Sequence, residues 1–196
     1  IEQAVQRIEA ALSRISAVAD APSAAKPGEG EPGLADARLR ETVAETLAER
    51  YPQMWPADPR ARARARSISA EMHAGFAQLR TAMLMNLKLK LKGKPATPEV
   101  QRDIDRVAEI WEEARTQFAT AGGPWLFGAF SVADAMFAPI VWRFHVYNVA
   151  LPPVAAAYRD AMLAHPAMQE WYAAGLLETE AHAHYDRLAD EYGGMR

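Results

Sequence analysis

The sequence predicts an all-α protein, a bundle of helices preceded by an extra amino-terminal helix and a linker. Three observations lead there. Apolar residues recur at spacings of three and four, as Ile68, Met72, Phe76, Leu79, Met83 and again as Val100, Ile104, Val107, Trp111, Phe118. Helix-starting pairs stand ahead of these stripes, with Asp58-Pro59 and Thr97-Pro98 placing a capping oxygen before a proline. The stretch Val132 to Trp142 is apolar on nearly every side yet too short to span a bilayer, which suits the centre of a helical domain.

Composition sets limits. Of 196 residues half are hydrophobic, enough for one core with an appendage. A net charge of −3 supplies no general basic field for nucleic acid. The absence of cysteine excludes disulfides, thiolate catalysis and cysteine metal sites, and suits a reducing cytoplasm. No apolar run reaches the length of a membrane span, and no basic-then-apolar signal pattern follows Ile1. Because the chain starts with Ile rather than Met, residues upstream are expected.

Taken in order, residues 1–20 carry Ile1, Val5, Ile8, Leu12, Ile15 and Ala19 at alternating spacings of four and three. That is an a/d seam. A helix this short needs a partner, either its own domain or a second copy, so a homo-oligomer is one of two readings. Residues 21–35 hold Pro22, Pro27, Gly28, Gly30, Pro32 and Gly33 and are expected to form a disordered linker. Residues 36–51 make a helix through Leu39, Val43 and Leu47 that closes before Pro52.

Asp58 then opens a helix. Arg60, Arg62, Arg64 and Arg66 follow at spacing two, which spreads them around its start as a solvated face. They oppose the helix dipole, and the sequence gives no reason for that. His73 sits beside the apolar stripe and reads as a packing residue. Leu87 to Lys92 alternates as a strand does, and its lysines read as a solvated turn in preference to a site for an acidic partner or lipid headgroups. Thr97 starts the next helix, which Gly122 and Gly123 end, and the two long helices should pack as an antiparallel hairpin.

Ser131 and Asp134 form a capping box, with Asp in place of the commoner Glu or Gln. Pro139 lies inside the helix that follows and should kink it; Asn148 ends it. Pro153 and Pro166 start two more helices. Residues 179–196 form a terminal helix or tail. There Glu178–His182 and Glu180–His184 are i, i+4 pairs with metal-ligand chemistry, but they lie on different faces, short of three or four convergent ligands. No metal is assigned.

Read from Gly128 to Pro139, Gly-x-Phe-Ser-x-Ala-Asp-x-x-x-Ala-Pro resembles the sixth helix of glutathione S-transferases, in which a Ser-x-x-Asp box is a folding element. The resemblance runs from about Val43 to Leu177. It takes in Tyr51 to Asp58 as the join between two domains, Ser69 to His73, and His165-Pro166-Ala167-Met168. It implies that residues 57–178 are the family's carboxy-terminal helical domain and that Leu87 to Lys92 is the end of a long helix turning at Gly93. The family places a thioredoxin-like domain in front, which binds glutathione and lowers its thiol pKa. Residues 1–50 show no alternating or β-branched strands. Leu39 and Arg40 stand where the family has an acidic-Ser pair, so residues 36–51 read as a remnant of that domain's last helix. A third reading makes residues 1–35 a fusion on a truncated enzyme.

No catalytic residue is assigned. By resemblance the cleft for a hydrophobic electrophile would be lined by Met72, Phe76, Met83 and Trp125, residue types that suit an adaptable apolar pocket and equally suit a core. The expected function is therefore a glutathione transferase-like protein that contributes the electrophile-binding helical domain and conjugates weakly or not at all alone. The alternative is a non-catalytic interaction or dimerisation module. Glutathione enters as co-substrate only if a thioredoxin-like domain is supplied, and no cofactor is expected.

Overall fold

The structure is a computed structural model that describes residues 51–95, 97–120, 122–179 and 187–195, all within the second of two units into which the chain divides, residues 44–196. The amino-terminal seam, the linker, the helix expected over 36–51 and both Glu–His pairs, through His182 and Glu180–His184, lie outside the described residues.

A single 3-10 turn, Pro52–Met54, leads into α1, Pro59–Ala74. Asp58 caps α1 as expected, its carboxylate accepting from the Ala61 N–H at 2.8 Å. The arginines that looked like a solvated face have partners. Arg62 donates to the carbonyls of Pro56 (3.0 Å) and Ala57 (2.6 Å), tying down the turn ahead of the helix. Arg64 pairs with Glu113 at 2.5 Å, and Arg66 lies over the ring of buried Trp55. The cations at the positive end of the helix are thus held by carbonyls, a carboxylate and a ring, which offsets the unfavourable dipole.

The long helix expected to run on toward Lys92 is broken. α1 stops at Ala74, Gly75 follows, and Phe76 adopts a left-handed conformation at φ 58 before α2, Ala77–Ala82. A non-glycine residue there costs about 1–2 kcal/mol, offset by burial of the Phe76 ring. The new helix start has no cap of its own. Asp103 supplies one from the next helix, accepting from the Leu79 N–H at 2.9 Å.

Leu87 to Lys92 is therefore not the end of a helix. Its alternation is that of a strand: Leu89 and Leu91 are buried while Lys88, Lys90 and Lys92 are exposed. Lys90–Leu91 forms β1, paired antiparallel with β2, Gly194–Met195. Gly194 is required there, since a Cβ would collide with the Lys90 carbonyl. The backbone of the preceding irregular segment is held by later side chains: Arg143 donates to the Met83 carbonyl at 2.8 Å and the Tyr147 hydroxyl to that of Leu84 at 3.2 Å.

α3, Pro98–Phe118, is capped by Thr97. Its ion pairs Arg64–Glu113 and Glu71–Arg106 join ascending residues of α1 to descending residues of α3, so the two run antiparallel, as expected of the hairpin. α4, Val132–Val146, lies chiefly against α1; α5, Pro153–Leu163, packs on α3 and α4; α6, Pro166–Leu177, follows it. Pro139 stands inside α4, which continues past it. Asn148, at φ 49, turns the chain out of α4. A short α7, Leu188–Tyr192, precedes β2. The centre of the core is Trp111 on α3, wholly buried, with ring centroids of Phe137 at 5.9 Å, Phe144 at 5.4 Å and Tyr158 at 4.9 Å. Among the described residues the architecture is all-α, with one two-residue ladder.

Candidate functional site

The loop between α3 and α4 presents Trp125, and the sequence that builds it is Gly122-Gly123-Pro124-Trp125-Leu126-Phe127-Gly128. Gly123 has φ +99, and a Cβ on it would run into the Gly128 carbonyl, so the two arms of the loop approach closer than any side chain permits. Two charged groups clamp the loop. From α3, Arg115 donates to the Trp125 carbonyl at 3.0 Å. From α4, Asp134 accepts the Leu126 N–H at 3.0 Å on one oxygen, and the Ser131 N–H at 2.8 Å with the Ser131 hydroxyl at 3.1 Å on the other.

The capping box is present in full, and Asp134 does more than a box requires. Its second oxygen is the anchor of the preceding loop, a bond with no signal at the i, i+3 spacing that reveals the box. The carboxyl is wholly buried. Burial pushes its pKa up, and the three donors pull the other way without overcoming it. Burial, and after it the nearby Asp134 charge, raises the pKa of the Tyr158 hydroxyl, which makes no hydrogen bond of ordinary geometry.

The four residues expected to line a hydrophobic cleft are placed as follows. Met72, Phe76 and Met83 are buried in the core cluster, on α1, at the break and just past α2. Trp125 is half-buried on the loop. There it meets two rings that sequence reasoning did not bring to it: Phe130, edge-on at 5.1 Å, and His165, edge-on at 5.3 Å, while Phe130 and His165 stack at 4.7 Å. Phe130 is 39% exposed, so the cluster presents an aromatic face. His165 holds its place by accepting the Ala167 N–H at the start of α6. His73 is exposed on α1. Among the described residues no group of three or more His, Asp or Glu side chains could hold a metal ion, and no helix is long and apolar enough to cross a membrane.

Residues 97–174, from the cap of α3 into α6, match the family model described as glutathione S-transferase, C-terminal domain. Over that span the chain is similar to a glutathione S-transferase C-terminal domain. Within it α3, the Trp125 loop, the Ser131–Asp134 box and α5 all fall inside the matched span. Among solved structures, a glutathione transferase homologue from Burkholderia gl BGR1, crystallised with bound glutathione, is similar at 22% identity and a TM-score of 0.47. The match covers 69% of this chain and 65% of that one, so this chain spans less than two thirds of that structure's length. No curated protein matches the sequence.

Proposed function

We propose that this chain supplies the hydrophobic-substrate half of a glutathione transferase-like protein and has little or no conjugating activity by itself. The observation that carries the reading is the match of residues 97–174 to the transferase C-terminal domain, together with a preceding helix, α1, that packs directly on α4. These are the two helices between which the family resemblance puts the electrophile. In this reading Trp125, fixed by Arg115 and Asp134, is the accessible member of the pocket. The resemblance would add Met72, Phe76 and Met83 to it, but these are core residues toward the Asp103 end of α3, whereas Trp125 is held at its Arg115 end. The thiolate would come from a thioredoxin-like domain that residues 1–50 do not resemble, so glutathione is a co-substrate only with that domain present. The chain is taken as cytoplasmic, in keeping with the absence of cysteine.

Equilibrium dialysis against an uncharged chromogenic aryl halide tests the pocket. Saturable binding is expected, weakened about tenfold in Trp125→Ala through loss of an aromatic contact worth somewhat over 1 kcal/mol. Binding that is absent, or unchanged by the substitution, would remove Trp125 from the pocket.

A further inference from the structure

A cavity of about 570 Å³ opens away from Trp125, between β1, the end of α4 and α5. None of Met72, Phe76, Met83 or Trp125 lines it. Its polar lining is Lys90 and Lys92 from the strand, His145 and Asn148 from the end of α4, and Arg159 from α5. Among the described residues Leu91 is the one apolar side chain at its wall, and it is itself buried. Among the described residues no carboxylate lines it. We propose that this cavity is a binding site for a small, polar, phosphate-bearing molecule.

The arrangement follows from the elements. Lys90 and Lys92 are two residues apart in extended backbone, so they share a face, with Leu91 turned to the core. The pairing of Leu91 with Gly194, continued by the Lys92 N–H to the Gly193 carbonyl at 2.7 Å, fixes that face. Arg159 is held from behind. Its Nε (2.9 Å) and Nη2 (2.8 Å) both meet one Asp160 carboxylate oxygen and its Nη1 donates to the Val149 carbonyl at 3.4 Å, which fixes its plane and leaves the remaining Nη hydrogens for a ligand. Those hydrogens suit an oxyanion, and the two ammonium groups supply charge that Asp160 does not neutralise. Asn148 adds an amide donor.

Cations do gather at the carboxy-terminal end of a helix to complement its dipole. That accounts for His145 on α4. It does not account for two lysines on a strand and an arginine on another helix facing the same space. The imidazole reports the crowding: burial lowers the His145 pKa first, then the charges of Arg159 and Lys90, with Asp160 opposing. An anion in the cavity would relieve it. The volume exceeds that of inorganic phosphate and falls in the range of small-molecule sites. The polar lining disfavours a hydrophobic ligand, and the chain's net charge of −3 disfavours nucleic acid. A concave wall suits a soluble molecule better than a flat membrane.

Calorimetric titration of the whole chain at fixed ionic strength tests the site, with inorganic phosphate and glycerol 2-phosphate as probes. Saturable one-site binding is expected for both, the ester tighter. The double variant Lys90→Gln/Lys92→Gln, in exposed positions, should weaken it by at least about tenfold, the effect of losing one or two charge-assisted hydrogen bonds. Arg60→Gln, exposed and distant in the chain, should leave it unchanged. Proton titration of His145 by NMR should show its pKa rising when phosphate is present. The proposal is overturned by any of three results: no saturable heat, equal losses in the double variant and Arg60→Gln, or binding to vesicles containing phosphatidic acid without binding to either soluble probe.

Discussion

Asp134→Ala is expected to destabilise the domain by about 2–6 kcal/mol, since it leaves the Leu126 and Ser131 N–H groups buried without an acceptor at about 1–3 kcal/mol each. Against a typical domain stability of about 5–15 kcal/mol this is enough to unfold a marginal chain. Asp134→Asn should recover only part of the loss. An amide offers one acceptor oxygen, and its NH2 would face an N–H donor where the carboxylate presents an oxygen. Urea denaturation followed by circular dichroism measures both variants; a loss under about 1 kcal/mol for Asp134→Ala would show that the two N–H groups find other partners. The pH dependence has a definite sign. Because the folded pKa of Asp134 is raised, the folded state holds that proton more tightly than the unfolded chain. Its stabilising contribution is therefore full below the ordinary carboxyl pKa of about 4 and declines as pH rises through the folded value. The margin of the parent over Asp134→Ala should shrink over that interval, and a margin that grows would contradict the burial argument.

Trp111→Ala should cost about 3–5 kcal/mol, the usual loss for emptying a buried aromatic site. Trp111 is wholly buried and touches rings from both α4 and α5, so its removal opens a space that three helices would have to close together. Leu177→Ala, at a side chain 80% exposed, is the matched control and should change stability by less than about 0.5 kcal/mol. Similar losses for the two variants would mean that the core is not centred where the rings meet.

What the sequence made legible was local. Asp58, Thr97 and the Ser131–Asp134 box each bond within three residues along the chain, so the residue types alone announce them. The stripes Ile68–Met83 and Val100–Phe118 gave the buried faces of the hairpin correctly. What stayed hidden depends on partners far along the chain. Phe76 fits a continuous helical stripe, and nothing nearby shows that it turns left-handed; the cap that makes the break tolerable is Asp103, on the following helix. Leu87 to Lys92 did show a period of two, and the strand reading lost to the expected long helix because β2 lies near the other end of the chain. At the candidate site, Trp125 was named, but Phe130 and His165 come to it only through the turn of the loop and the α5–α6 junction. The cationic cavity was half visible as a run of lysines; Arg159 and His145 join it by folding alone.

Whether this chain holds a substrate pocket without the thiol chemistry is decided by incubating residues 1–196 with glutathione and a chromogenic aryl halide and following conjugate formation. The expected rate is indistinguishable from that of the same mixture without protein. Saturable, protein-dependent turnover well above that background would contradict it and return the thiol-activating function to this chain.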